Sequence, residues 1–549
     1  MSGARALPKL DCWRMLVRRA DILSLALVVG LTTAYQLIFL REGIGLIDEG
    51  HLANAARRLT EGDLLYRDVY TVYPPASFYV VSVLFDWLGT SLIVVRGFHI
   101  AMTIALAIAV FGVGRLFLTV VWATLAALLV GLTGWEAILE RCHYAYLYCV
   151  FPIAALGILS ILLRRDGPSE RDEIRQECWG IFGVGMLAGV TLAFRLVPFV
   201  GLSLAATLLV VLHSTQAKDA LRRLACLILG GLAVVLPIGL AFAVGGGLTD
   251  LLQAVFWTSF GQYASGGEFN LPFPPLTLLP GEWTQLGLGR LMRNWEFYLP
   301  IAIYIGAALD FGLRARQCAQ RRESIKNEPN ALLRLAMMAF GVILFLRATG
   351  RSDYYHLAPV LVPAYLLGVD FMARAWARFP IGGASKLAAI PVLASLVLSL
   401  WLHGVPNAAV RARNSDQRVE LSIGGPRVAR SGVLDDLVFD LRQRTKAGEP
   451  ILVLPWYPVL YFLVDRPNPT RYDWLFPGYL TRDEDRARLV EEISQGSVRT
   501  LVYNPAAIDG DATRRLAHFE PDLDRAIRQH FRADKQFGRF IVMTRKLRP

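Results

Sequence analysis

Charge is scarce in this chain. Only 19% of the 549 residues are Asp, Glu, Lys or Arg, while 54% are hydrophobic and the mean hydropathy is +0.42. That balance excludes an ordinary soluble globular protein of this length. Cysteine is scarce as well: Cys12, Cys142, Cys149, Cys178, Cys226 and Cys318 show neither metal-ligand spacing nor a disulfide framework. None follows Leu402, so the tail must fold without bridges. The stretch 1–20 is basic, but the apolar run after it is long and lacks a small-residue cleavage site, so that run is expected to be a retained first span. No internal repeat is visible, which argues against an inverted-repeat transporter. The net charge of +12 invites a nucleic-acid reading, but Lys and Arg concentrate in short loops, so no nucleic-acid partner is expected.

What is present is a series of apolar runs, each long enough to cross a hydrocarbon core of about 30 Å as a helix. The expected spans are 22–41, 91–118, 120–138, 144–163, 178–194, 196–213, 221–245, 297–314, 331–347, 355–373 and 385–403. The segment 76–88 is left out of that series. As a helix it reaches only about 20 Å, and its Trp87, Phe78 and Tyr79 suit an interfacial helix.

Loop charge supports that choice. With eleven spans, the basic loops 164–175, 218–223, 314–326 and 374–379 fall inside, while the long loop 246–296, with only Arg290 and Arg293, falls outside. The amino terminus is then cytoplasmic, and the tail lies outside the cytoplasmic (inner) membrane. A reporter active only outside the cytoplasm, fused after Pro549, is expected to be active. Activity of a cytoplasm-only reporter at that position would overturn the topology.

The tail, 404–549, reads as a separate soluble α/β domain. Strands are expected at 451–455, 498–504 and 540–544, and helices at 432–446, 482–495 and 511–530. The expected fold is thus a polytopic α-helical membrane protein, with a transmembrane domain over 1–403, a first outer loop over 42–90 and the α/β tail.

Three polar groups fall at the outer face. The first loop carries Asp48, Glu49, His51, Asn54, Arg57, Arg58, Arg67, Asp68, Tyr70 and Tyr73. A second group is Glu136, Glu140, Arg141, His143, Tyr144 and Tyr146. A third is Arg195 with Arg347, Arg351, Asp353, Tyr354, Tyr355 and His356. Ionisable groups at a membrane boundary are costly unless they face a wet cavity or each other, so they mark a functional site. A positioned carboxylate can take a proton from a hydroxyl, and Arg offers a planar, permanently charged fork for phosphate oxygens. Each has a plainer reading. Asp48 and Glu49 could cap a helix, Arg57 and Arg58 could be its solvated face, and Arg195 could snorkel. His51 and His143 are expected to be structural hydrogen-bonders rather than metal ligands.

The stretch from Ile47 to Phe117 resembles the opening of the GT-C membrane glycosyltransferases. The likeness is greatest to the dolichyl-phosphate-mannose protein mannosyltransferase-like group, which includes bacterial aminoarabinose and galacturonic acid transferases acting on lipid A. The shared order is Asp48-Glu49, an amphipathic helix, Gly62-Asp63, Pro74-Pro75, an interfacial helix ending at Gly89, and a span opening with Arg96. The segment Asp353–Leu367 is similar to the family's late His/Tyr-Pro element.

The resemblance implies a polyprenyl-phosphate-linked sugar donor and inverting transfer of a hexosyl or pentosyl group to a lipid, glycan or protein hydroxyl. It implies Asp48 as the catalytic base with Glu49 as its partner. Arg67, Arg195, Arg351 and His356 are then assigned to the donor phosphate, and Arg57, Tyr73, Arg141, His143 and Tyr355 to substrate binding. Where lipid A aminoarabinose transferases have Lys before the turn proline, this chain has Tyr73, so Arg67 or Arg351 is expected to replace that charge. Arginines near Asp48 are expected to keep it ionised. No cofactor is firmly implied; some relatives bind a divalent metal and others do not, and no residue pattern fixes a metal site. The competing readings are a transporter or flippase of lipid-linked sugars, with charges at mid-membrane, and a scaffold whose tail binds partners.

Overall fold

The computed structural model describes residues 19–38, 40–41, 44–132, 144–164, 171–262, 270–275, 285–328, 330–378, 418–419, 428–429, 432–480 and 482–546. The first described segment is helix α1 (Arg19–Ile38), followed by α2 (Asp48–Thr60) and α3 (Ala76–Leu88). A helical bundle then runs through α4 (Leu92–Gly114), α5 (Val120–Leu132), α6 (Val150–Leu163), α7 (Arg171–Phe194), α8 (Leu196–His213) and α9 (Ala217–Val244). It ends with α10 (Gln285–Arg321), α11 (Ala331–Gly350) and α12 (Tyr354–Arg378).

Eight of these helices are long and apolar enough to cross a membrane. Three shorter apolar helices, α3, α5 and α6, have 13, 13 and 14 residues, and reach only about 20 Å each. The described part of the expected span 120–138 stops at Leu132, and 144–163 divides into a short turn of helix at Tyr144–Leu147 and α6. The expected span 385–403 and the expected domain boundary near 403 lie outside the described residues.

Small residues let two of the helices meet backbone to backbone. A Cβ on Gly185 of α7 would lie 2.2 Å from the Leu227 carbonyl oxygen of α9, and one on Gly230 would meet the Phe182 carbonyl. Glycine removes the side chain that would hold the two backbones apart, the usual device of helix packing in lipid. Helix α12 is the central one: 83% of its most apolar stretch is buried, against 11% for α9. Its Pro359 and Pro363 are tolerated inside that packed setting.

The C-terminal unit contains α13 (Gly432–Arg444), β1 (Ile451–Leu454), α14 (Val459–Val464), α15 (Asp483–Gln495), β2 (Thr500–Tyr503), α16 (Pro521–His530), β3 (Phe531–Phe537) and β4 (Phe540–Arg545). The sheet order is β1-β2-β4-β3, with β1 and β2 parallel and the other pairs antiparallel. The three expected strands are present. The expected helix 511–530 is interrupted, because Pro521 starts α16 as its first-turn proline. Strand β3 has no counterpart among the strands expected from sequence. Gly538, at φ +55°, forms the tight turn that folds it back on β4.

Candidate active site

Helix α2 opens with Asp48 and Glu49, and the two carboxylates have different surroundings. Glu49 is fully buried. The Arg96 guanidinium, in the first turns of α4, donates through Nε to Glu49 Oε1 at 2.5 Å and through Nη2 to Oε2 at 2.9 Å. The Gly45 backbone N–H adds a bond of 2.8 Å to Oε2, and Arg96 Nη1 also donates to the Leu40 carbonyl at 3.0 Å. This bidentate pair fixes the start of α2 against the bundle. Glu49 is therefore a clamp in this geometry, whereas the sequence reading pairs it with Asp48 in the chemistry.

Asp48 is half-buried. Burial raises its pKa, Arg195 lowers it, Asp353 raises it and Arg351 lowers it, and the net result is a carboxyl pushed up to about 7. The arginines do pull toward the ionised form, as the sequence implies, but desolvation outweighs them. A carboxyl poised near neutrality suits proton transfer at working pH.

Arg195 is the single residue between α7 and α8, in an extended conformation, with its N–H on the Thr191 carbonyl at 2.7 Å. Its guanidinium carbon lies 4.1 Å from the centre of the Tyr73 ring, a cation–π stack that holds the fork flat. Tyr73 itself is fixed by the Tyr66 hydroxyl, which donates to its carbonyl at 2.7 Å. Arg351 caps the end of α11 and donates from Nε to Asp353 Oδ2 at 2.7 Å. Asp353 Oδ1 accepts the His356 backbone N–H at 3.0 Å and lies 2.6 Å from His356 Nδ1. Burial raises the pKa of Asp353, but His356 and Arg351 together hold it well below the usual carboxylate range. Tyr355 is half-buried beside His356.

Asp48, Tyr73, Arg195, Arg351 and His356 thus share one end of the bundle, linked by stacking, hydrogen bonds or charge. Arg57 and Arg67 do not join them. Arg57 is buried on α2, donating to Asp465 at 2.7 Å, to Asn54 at 3.1 Å and to the Arg466 carbonyl at 3.4 Å. Arg67 is exposed and engaged by Asp68 at 2.7 Å and the Gly245 carbonyl at 3.1 Å. Arg141 and His143 lie outside the described residues. Among the described residues, no three His, Cys, Asp or Glu side chains gather as a metal-ligand set.

Sequence reasoning missed the role of the C-terminal unit, which clamps α2. A Cβ on Gly50 would lie 2.3 Å from the Val459 nitrogen, so only glycine allows α14 to reach the turn that carries Asp48. One turn on, His51 stacks on Trp474 at 4.1 Å and its Nδ1 lies 3.4 Å from Asp473 Oδ2. Asp473, fully buried, also accepts from Asn54 at 3.0 Å and Asn468 at 3.1 Å, with Arg58 at 3.5 Å. Burial raises the pKa of Asp473, and His51, Arg58 and Asn468 outweigh it, lowering it to about 2. The only sequence signal was a polar-aromatic run, Arg471 to Trp474, with no hint that it returns to α2.

No family model matches the sequence, and no curated protein matches it. Solved structures do match. ArnT from Cupriavidus metallidurans bound to undecaprenyl phosphate is 13% identical, with a TM-score of 0.52, over 95% of this chain and 98% of that one. The oligosaccharyltransferase AglB from Archaeoglobus fulgidus, in complex with an inhibitory peptide and a dolichol-phosphate, is 12% identical. Its TM-score is 0.53, over 96% of this chain and 75% of that one. The chain is therefore a multi-pass membrane protein with the GT-C fold and a C-terminal α/β region.

Proposed function

We propose that the protein is an inverting glycosyltransferase that moves a sugar from a polyprenyl-phosphate donor to a hydroxyl acceptor at the outer face of the cytoplasmic membrane. The observation that carries this reading is Asp48, poised near neutrality and facing the charges of Arg195 and Arg351. The similar ArnT and AglB structures hold undecaprenyl phosphate and dolichol-phosphate, which supports a lipid phosphate as donor.

In this mechanism the acceptor hydroxyl gives its proton to the Asp48 carboxylate as its oxygen attacks the anomeric carbon. The bond from that carbon to the phosphate oxygen breaks, and its electron pair leaves with the lipid phosphate from the opposite face. A new glycosidic bond of inverted configuration forms, and Asp48 then releases the proton to water. Phosphate is a good enough leaving group to need no second carboxylic acid, unlike the paired carboxyls of glycoside hydrolysis. Arg195 and Arg351 neutralise the phosphate charge as it develops. Glu49 acts by holding α2 in place, and Tyr73 by holding Arg195 flat. A flippase would require charge at mid-membrane rather than at these helix ends.

Arg195→Leu and Arg351→Leu are each expected to weaken donor use by about tenfold or more, the worth of a charge-assisted hydrogen bond. The check is the dependence of transfer on donor concentration, with folding verified by size-exclusion chromatography in detergent. Unchanged donor dependence in both variants would reduce these arginines to anchors at the membrane boundary.

A further inference from the structure

Away from the proposed donor site, a cleft of about 760 Å³ opens between the first loop and the C-terminal unit. That volume falls in the range of roughly 300–1,000 Å³ typical of ligand sites. Arg58, Asp68, Arg471, Tyr472, Arg488 and Glu491 are among its walls. Its charges nearly balance, with four arginines against five carboxylates. Several are fixed in pairs: Arg58 with Asp63 at 2.7 Å, Arg67 with Asp68 at 2.7 Å, and Arg471 with Asp485 at 3.8 Å.

We infer that this cleft binds the acceptor, and that the acceptor is a neutral, hydroxyl-rich saccharide chain. A lipid chain gains nothing from walls lined with ion pairs. A polyanion would need a surplus of cations, and the cleft has none. Sugar hydroxyls donate and accept at once, so fixed guanidinium and carboxylate groups side by side satisfy both roles. Arg471 is itself placed by two rings, with its guanidinium 5.2 Å from the Tyr70 ring centre and 5.8 Å from that of Tyr472. The cleft also lies on the helix that carries the base. From Asp48 to Arg58 is ten residues of α2, which puts the cleft about 15 Å from the base at 1.5 Å per residue.

This inference rests on the transferase reading, and the test separates the two. The full chain in detergent is titrated with neutral oligosaccharides of graded length, and separately with undecaprenyl phosphate. Neutral oligosaccharides should bind, more tightly as they lengthen. The variant Arg488→Ala/Glu491→Ala, at two exposed positions of α15, should weaken them by about tenfold or more, as expected for two lost polar contacts. Binding of acidic saccharides alone, no binding of any saccharide, or affinity unmoved by the double variant would overturn the assignment. Oligosaccharide binding sensitive to that variant, together with no binding of undecaprenyl phosphate, would support the cleft and count against the donor reading instead.

Discussion

Asp48→Asn is expected to lower the proposed sugar transfer by roughly 10²–10⁴-fold, the usual worth of a general base. Asn keeps the shape of the side chain and its place at the start of α2, and removes only its capacity to take a proton. The pH profile separates this loss from a structural one. With its carboxyl pushed up to about 7, Asp48 is mostly protonated below that pH and cannot act as base. Transfer at low substrate concentration should therefore rise with pH, about tenfold per unit, and level off above about pH 7, because the free enzyme's base sets that limb. The residual rate of Asp48→Asn should lose this rise. Near-normal turnover by Asp48→Asn at matched expression would refute the base, and a wild-type profile flat across neutrality would refute the poised carboxyl.

Arg96→Leu should destabilise the protein by about 3–5 kcal/mol, because it strands a buried carboxylate without its guanidinium. Both partners are nearly inaccessible, at 3% and 0% side-chain exposure, so water cannot replace the lost charge. The expected readout is a large fall in the melting temperature of the detergent-solubilised protein. The double variant Arg96→Leu/Glu49→Leu should recover much of that loss, since apolar groups in place of a buried ion pair are often neutral. Its transfer activity should stay low, because the Gly45 N–H and the start of α2 lose the carboxylate that holds them. A single variant that melts like the wild type would show that the pair does not hold the fold.

The bundle was legible because crossing lipid demands long apolar runs, and such runs stand out in any chain. Asp48 was legible for the converse reason: a carboxylate at the edge of an apolar run is conspicuous. Arg195 and Arg351 could be read as helix-end charges, though nothing in sequence announced the Tyr73 stack or the Asp353–His356 contact. Arg57 reads as a substrate ligand in sequence because its partner Asp465 lies 408 positions away in the chain. Arg67 carries the same charge signal, yet its neighbour Asp68 and the Gly245 carbonyl engage it. Strand β3 escaped because its Arg-Ala-Asp-Lys-Gln interior carries no apolar alternation between Phe531 and Phe537. Its place in the sheet comes from pairing with β4 rather than from its own pattern.

Sugar transfer from a lipid phosphate is the activity proposed for this chain. The most direct measurement incubates the purified protein with an undecaprenyl-phosphate-linked sugar and a hydroxyl acceptor, and follows products by mass spectrometry and anomeric configuration by NMR. Release of undecaprenyl phosphate in step with an inverted glycoside, dependent on Asp48, is the predicted result. Movement of the intact lipid-linked sugar across a vesicle bilayer, with no bond broken at the phosphate, would contradict it and make the protein a flippase.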